Sequence, residues 1–400
     1  INSAYLSTLF KKEMGISYVK YLTLDFSNTF YWPHHAVFKP ESSSTKVRVV
    51  FNASSRSSSG LSLNDILFTG PVLQNDLMLL IIRWRFFRYV FNGDIEKMYR
   101  QILVQPEESK FQRLVFRYNP NDDLKVFELR TVTFGVNCAP FMAIRTLQQL
   151  ATDVEEKWPL AAKILRRMMY VDDALAGTHE VSLAIKARDE LIAALSSAGF
   201  SMRKWTSNDE RILQGLPSGH LMNENFLEID DDSNTKTLGI RWNAKQDRFY
   251  FSTSPIPMKD NFTKREVLSI IAKLFDPAGW LGPIIVLAKM LMQEIWSEKT
   301  DWDEFLSTSC AMKWRQFLAD YDSINKITIS RWIGFKPSAI LEVHGFCDAS
   351  EKAYGACIYV RLQYEDGSIR CHLLLAKSRV APLKTVSIPR LELCGASLLA

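Results

Sequence analysis

The stretch that most constrains this chain is Met168-Met169-Tyr170-Val171-Asp172-Asp173-Ala174-Leu175-Ala176-Gly177, where two adjacent carboxylates separate two apolar runs. Short apolar runs on both sides of a polar pair read as a β-hairpin with the pair at its tip. Neighbouring like charges repel, so each carboxylate would ionise more easily without the other. A divalent cation removes that conflict, and Mg²⁺ is held by one or two carboxylates together with substrate phosphates. A solvated turn is the plain alternative, and the chain contains two such acidic turns, Asp122-Asp123 and Asp230-Asp231-Asp232. Neither is flanked by apolar segments on both sides, as the pair after Tyr170 is.

At 400 residues the chain exceeds one ordinary core, and two to three domains are expected. Its 47% hydrophobic and 23% charged content suits a globular protein. Net charge is only +5, so a nucleic-acid partner must meet local basic patches. Three are candidates: Lys46/Arg48/Arg56, Arg83/Arg85/Arg88 and Lys163/Arg166/Arg167, each also readable as a solvated face. The six cysteines form no CxxC pair, which suits a reducing compartment without a disulfide framework. The most apolar run, 279–296, is interrupted by Pro283, Lys289 and Glu294 and reads as a core helix, not a membrane span. The start on Ile1 in mid-pattern and the end on Ala400 inside an apolar run lead us to expect a piece of a longer chain.

Taken in order, Tyr31-Trp32-Pro33-His34-His35 reads as extended, and its histidines as a surface or hydrogen-bonded pair, since no third ligand stands near. Lys46-Val47-Arg48-Val49-Val50-Phe51 reads as a strand with two cations on one face. Such cations can grip a triphosphate or simply protect an edge strand. After a Ser-rich loop and a buried helix beginning near Leu77, Tyr89–Ile95 forms a strand that runs into Asp94, followed by a short helical stretch. An Asp where a strand ends is either a catalytic carboxylate or an N-cap. Strands at 111–118 and 126–130 flank a turn; Pro140 opens a helix of about four turns that ends before Pro159. Leu183, Ala187, Leu191 and Leu195 mark an amphipathic helix closed by Gly199. Short strands follow at 200–205, 236–242 and 248–251, then helices over 262–296 broken at Asp276-Pro277-Ala278-Gly279, and another helix with a polar connection over 300–338. A strand then ends in Asp348, with antiparallel neighbours at 353–362 and 371–377.

In this order, the basic strand, strand-Asp, Phe134-Gly135 loop, Tyr-Val-Asp-Asp, Gly199-Phe200 with Lys204-Trp205, and Leu238-Gly239-Ile240 resemble the reverse transcriptase of retroelements. In detail the chain is similar to the polymerase polyprotein of Bel/Pao long-terminal-repeat retrotransposons. Val49-Val50-Phe51-Asn52-Ala53-Ser54-Ser55, Asp94-Ile95-Glu96-Lys97-Met98, Arg203-Lys204-Trp205, Leu274-Phe275-Asp276-Pro277 and Ile388-Pro389-Arg390-Leu391-Glu392-Leu393 carry that likeness. The resemblance implies an α+β right-hand polymerase, with fingers and palm over 1–253, a thumb- or connection-like helical region over 254–338, and the start of a ribonuclease H-like domain over 339–400.

It further implies RNA-directed DNA polymerase activity, or, as the alternative, a catalytically silent nucleic-acid-binding remnant of a decayed element. Asp94, Asp172 and Asp173 would be the catalytic carboxylates and, with the Ile95 carbonyl, would hold two Mg²⁺ ions, with Mn²⁺ as a substitute. Lys46 and Arg48 would grip the incoming triphosphate, Tyr99 would exclude a 2′-hydroxyl, Phe134 and Gly135 would line the nucleotide pocket, and Lys204 would protonate the pyrophosphate. Leu238–Ile240 would lie near the primer grip. Asp348 and Glu392 would be the first two carboxylates of an incomplete ribonuclease H site, so RNA cleavage is not expected. The implied partners are an RNA template, a DNA primer, dNTPs and the rest of the Pol polyprotein, in a cytoplasmic virus-like particle. The family's peptidase label finds no Asp-Ser/Thr-Gly here to support it. One departure stands out: the pattern has Asp after Val-Val-Phe, and here it is Asn52.

Overall fold

The computed structural model describes residues 29–38, 47–57, 59–222, 226–229, 240–257 and 259–400. Strands β1 (His34–Phe38) and β2 (Val47–Phe51) pair antiparallel, and helices α1 (Leu63–Ile66) and α2 (Leu77–Phe86) lead into β3 (Tyr89–Ile95). Strands β4 (Arg113–Phe116) and β5 (Lys125–Glu128) form a hairpin, followed by helices α3 (Ala139–Asp153) and α4 (Pro159–Arg167). The acidic hairpin is β6 (Met169–Tyr170) and β7 (Asp173–Thr178), then come α5 (Val181–Ser197) and β8 (Met202–Ser207). Beyond them lie β9 (Phe226–Ile229), β10 (Ile240–Asn243), β11 (Arg248–Phe251), α6 (Lys264–Ala272), α7 (Gly282–Ser297), α8 (Thr308–Ala319) and β12 (Thr328–Ser330). The chain closes with β13 (Ile340–Ala349), β14 (Ala353–Gln363), β15 (Ile369–Val380) and α9 (Ile388–Leu399).

The Asp-Asp hairpin therefore forms where apolar flanks required it. Its strands belong to a four-stranded sheet in the order β6-β7-β3-β8. Residues 90–93 of β3 and 174–178 of β7 are buried throughout, as central strands covered on both faces must be. One expectation needs extending: Pro159 does not merely end a helix but opens α4, because its missing N–H costs nothing in a first turn.

The chain divides into two compact units, residues 1–75, 94–173 and 189–202 in one, and 76–93, 174–188 and 203–400 in the other. The first has α3 and α4 packed together through Ala143, Leu147, Ala151, Ala161, Ala162 and Leu165, all buried. The Glu190 carboxylate accepts the N–H groups of Leu160 (2.8 Å) and Ala161 (3.4 Å), satisfying donors that the first turn of α4 leaves open.

The second unit is built on aromatic rings and two buried guanidinium groups. Trp84 meets Trp242 with centroids 4.6 Å apart, and Phe249 meets Trp280 at 5.2 Å. Each of these three indoles also satisfies its N–H: Trp84 with the Ala176 carbonyl, Trp242 with the Asp247 carboxylate, Trp280 with the Leu374 carbonyl. Arg331, fully buried, forks onto Asp247 at 2.5 and 2.7 Å and donates to the carbonyls of Trp84, Phe87 and Arg88 at the end of α2. Arg85 reaches the carbonyls of Arg331, Ser330 and Leu373, with its guanidinium 5.0 Å from the Trp280 centroid. Burial and the neighbouring Arg331 charge pull Arg85 down to about 10. The Arg83/Arg85/Arg88 patch is thus corrected: Arg85 faces the core, where the chain around β12 and β15 supplies its acceptors, and Arg88 lies over the Tyr89 and Trp332 rings.

The same unit holds sheets in the orders β12-β11-β10-β9 and β13-β14-β15. The Leu274–Pro277 motif acquires a physical role here. Asp276 accepts the N–H groups of Trp280 and Leu281 ahead of α7, while the Ala278 carbonyl accepts the Ala376 N–H of β15 at 2.9 Å. Burial pushes the Asp276 carboxyl up, against the pull of those backbone donors. A Cβ on Gly279, whose φ is +72°, would collide with the Ala376 carbonyl, so only glycine lets the turn meet the strand.

Two outcomes follow from this packing. Asp247→Ala leaves the Arg331 guanidinium buried without its carboxylate, and urea unfolding is expected to show a loss of about 3–5 kcal/mol. The second concerns His179, seated between Phe87 and Phe335 at 5.6 Å from each, where burial lowers its pKa from the ordinary 6.5. A depressed base stabilises the fold above pH 6.5 and loses that contribution as pH falls through its folded value. The drop in Tm between pH 7.5 and 5.5 should therefore be smaller in His179→Phe than in the wild type.

Candidate nucleotidyl-transfer site

Three carboxylates reach one end of the central sheet for separable reasons. Asp94 is the penultimate residue of β3, Asp173 the first of β7, and Asp172 lies in the turn between β6 and β7. The Ile95 N–H donates to the Asp172 carbonyl at 2.9 Å, so the end of β3 is fastened to the hairpin turn by backbone alone. All three carboxylates are half-buried. The turn itself is strained: Val171 sits at φ +52°, a left-handed conformation rare for a β-branched residue. Such a conformation costs about 1–3 kcal/mol and persists only where the surroundings over-determine it. Here Gln74 supplies part of that restraint, its Oε1 accepting the Val171 N–H at 3.0 Å. No pattern near Gln74 in sequence points to this role.

The neighbouring residues form a continuous wall in the first unit. Tyr99 stands on a single 3₁₀ turn, 98–101, after β3, and its ring meets Phe134 edge-on at 4.6 Å. Burial raises the Tyr99 pKa, and the Asp172 charge adds to the rise, so the phenol stays neutral. Phe134 is 48% exposed, offering a ring face beside Tyr99. Gly135, at φ +94°, lies against the end of β2: a Cβ there would sit 2.6 Å from the Phe51 carbonyl oxygen. Asn64 bridges this loop to its surroundings, donating to the Gly135 carbonyl and accepting the Asn137 N–H, each at 2.9 Å. Asp172, Tyr99, Phe134, Gly135 and β2 are thus brought together by the fold.

Other expected residues are placed differently. Arg48 lies on the exposed strand β2, paired in register with Val37. Lys46, Leu238 and Gly239 lie outside the described residues. Lys204 is exposed on β8 at φ +54° and belongs to the second unit. Asn52 is explained locally, because its Oδ1 accepts the Ser54 N–H at 3.1 Å, a turn-closing bond that needs an oxygen and not a charge. Of the two histidines, His34 packs on Phe51 and Phe116, and burial lowers its pKa.

In the second unit Asp348 is exposed near the end of β13 and accepts the Ala349 N–H. Glu392 lies in α9, which packs on β13 and β14. Gly395, three residues on and so on the same helix side, would place a Cβ 3.5 Å from the Asp348 carbonyl oxygen. Both carboxylates therefore belong to facing elements of one α/β layer.

Among the described residues no three His, Cys, Asp or Glu side chains stand close enough to form a cation cage unaided. The carboxylates at the hairpin still fit a hard cation, since Mg²⁺ takes one or two of them and completes its shell with phosphate oxygens and water. All six cysteines are free, and among the described residues no helix is long and apolar enough to cross a membrane.

Comparison with known proteins agrees with this architecture. Residues 263–400 match the family described as the Pao retrotransposon-like RNaseH-like domain, a match that begins at α6 and takes in the helices ahead of β13. None of the curated proteins matches. Among solved structures, the foamy viral protease-reverse transcriptase dRH in complex with double-stranded DNA aligns over 98% of this chain and 59% of its own, with a TM-score of 0.57 and 13% identity. The foamy viral protease-reverse transcriptase in complex with an RNA/DNA hybrid aligns over 99% and 46%, with a TM-score of 0.56 and 15% identity. The chain spans about half the length of these structures. Its fold is accordingly similar to that of a retroviral reverse transcriptase, and its C-terminal third is similar to a Pao retrotransposon-like RNaseH-like domain.

Proposed function

We propose that the chain is the RNA-directed DNA polymerase segment of a Bel/Pao-type retroelement, with fingers, palm and thumb in its first part. The observation that carries this reading is the backbone bond from Ile95 to Asp172, which holds Asp94, Asp172 and Asp173 at one sheet end. The C-terminal likeness to a Pao RNaseH-like domain and the fold likeness to protease-reverse transcriptases support it.

Asp94, Asp172 and Asp173, with the Ile95 carbonyl, are the proposed holders of two Mg²⁺ ions, for which Mn²⁺ can substitute. When bound, such ions favour the ionised primer 3′-hydroxyl and offset the charge on the departing pyrophosphate. The protein's own part is positioning. Arg48, together with Lys46, neutralises the triphosphate; the fork of Arg suits bidentate contact to phosphate oxygens. Tyr99, braced edge-on by Phe134, occupies the space a ribose 2′-hydroxyl requires and remains uncharged beside the carboxylates. Gly135 lets the loop backbone close on β2, so a side chain there would push Phe134 away from Tyr99. Lys204 is proposed as the acid for the pyrophosphate.

Template RNA and the DNA primer are the proposed partners, with other Pol segments, inside a cytoplasmic virus-like particle. RNA cleavage is not proposed for this chain. Asp348 and Glu392 supply two carboxylates, and a two-metal cleavage site needs more ligands than that.

The test is primer extension on poly(rA)/oligo(dT) with Mg²⁺. Extension by the wild type, abolished in Asp172→Asn with primer–template binding largely intact, is the expected result. Affinity comes mainly from Lys and Arg contacts to phosphate, which that change leaves alone. An inactive wild type that still binds the duplex would indicate a silent binding remnant instead. For Tyr99→Ala, single-nucleotide incorporation should show discrimination against ribonucleotides reduced by about 10- to 100-fold. Unchanged discrimination would return Tyr99 to a packing role.

A further inference from the structure

We propose that Gln74 is a positioning residue for the catalytic hairpin, an inference that rests on the polymerase reading above. Gln74 lies in the segment Gly70-Pro71-Val72-Leu73-Gln74-Asn75, distant in sequence from the hairpin it touches. Its Oε1 accepts the Val171 N–H at 3.0 Å, and its Nε2 donates to the Met169 carbonyl at 3.3 Å and the Asn75 carbonyl at 3.1 Å. One orientation of the carboxamide satisfies all three contacts, because the N–H needs the oxygen and both carbonyls need the NH₂. The side chain therefore pairs with the hairpin as an additional peptide group would. It grips the residues on either side of Tyr170, immediately ahead of the two aspartates.

The segment that presents Gln74 is itself anchored. The Asn75 Nδ2 donates to the Arg166 carbonyl at 3.3 Å, in the last turn of α4. Residues 166, 169 and 171 are thus all held from one short stretch. Val171 needs such a hold, since its left-handed φ of +52° is one that a valine leaves when unrestrained. Relaxation there would rotate the Val171–Asp172 peptide and, through it, displace the Asp172 carbonyl, one peptide further on, that is bonded to Ile95. Gln74 carries no charge and is assigned no contact with substrate. Its action on the reaction passes through the backbone of the turn, by keeping the Asp172 and Asp173 carboxylates aimed together with Asp94.

The test uses Gln74→Met, which keeps side-chain length and removes both bonds to the hairpin, beside Gln74→Glu, which keeps the acceptor for Val171 and loses the donor to Met169. Hydrogen–deuterium exchange at the Val171 amide should be about tenfold faster in Gln74→Met, as expected for one lost protecting bond, and intermediate in Gln74→Glu. Single-turnover incorporation should slow by about 10- to 100-fold, the scale of small misplacements of reacting groups. Primer–template Kd should stay unchanged, and the Mg²⁺ concentration giving half the maximal rate should rise. Unaltered exchange at Val171, or faster exchange with unaltered rate and Mg²⁺ dependence, would overturn the proposal. If the wild type itself fails to extend a primer, the polymerase reading falls. The exchange measurement, which needs no activity, then decides separately whether Gln74 holds the turn.

Discussion

Two guanidinium groups buried among tryptophans are the constraint on which the second unit depends. A cation removed from water is tolerated only when every donor finds an acceptor. Arg331 meets this condition with the Asp247 carboxylate and three carbonyls at the end of α2, while Arg85 donates to carbonyls from the chain around β12 and from β15. Those acceptors come from segments far apart in sequence, so satisfying the charge fixes the segments relative to one another. The rings of Trp84 and Trp280 take up the faces of the same guanidiniums, 5.7 and 5.0 Å from their centroids. Desolvated cation–π contacts of this kind contribute about 2 kcal/mol each.

In the first unit the governing conflict is different. Asp94 near the end of β3, Asp172 in the hairpin turn and Asp173 at the start of β7 are like charges carried on joined pieces of backbone. The structure holds them with bonds that do not depend on charge: the Ile95 N–H to the Asp172 carbonyl, and the Val171 N–H to the Gln74 side-chain oxygen. A turn held in an unfavourable conformation beside acidic groups is the pattern expected where geometry serves chemistry more than stability. The wall of Tyr99, Phe134 and Gly135 follows the same logic, because Gly135 accepts a left-handed backbone so that a ring can be presented next to Tyr99.

The fold likeness at 13–15% identity shows how little of a core sequence must be kept for a fold to persist. Patterning and volume specify such a core, and many side-chain sets satisfy them. The likeness speaks for the fold alone; the proposed chemistry is argued from the particular carboxylates and from the residues around them.

Much of the scaffold was legible in the sequence because its signals are local. Apolar flanks made the Asp172-Asp173 hairpin, Leu183 to Leu195 marked α5, Pro140 opened α3, and the strands ending at Asp94 and Asp348 stand where their patterns placed them. The candidate carboxylates were equally legible, since an acidic residue at a strand end is visible without a partner. What the tertiary structure alone decided is where long polar side chains go. Arg85 read as part of a basic surface and proved to be a core residue, because its acceptors lie about 245 to 290 positions away. Gln74 carried no signal at all, because the N–H it accepts is 97 positions distant. Periodicity and turn chemistry report interactions within a few residues of chain, whereas a hydrogen bond to a distant carbonyl exists only after the backbone that carries it has been folded into place.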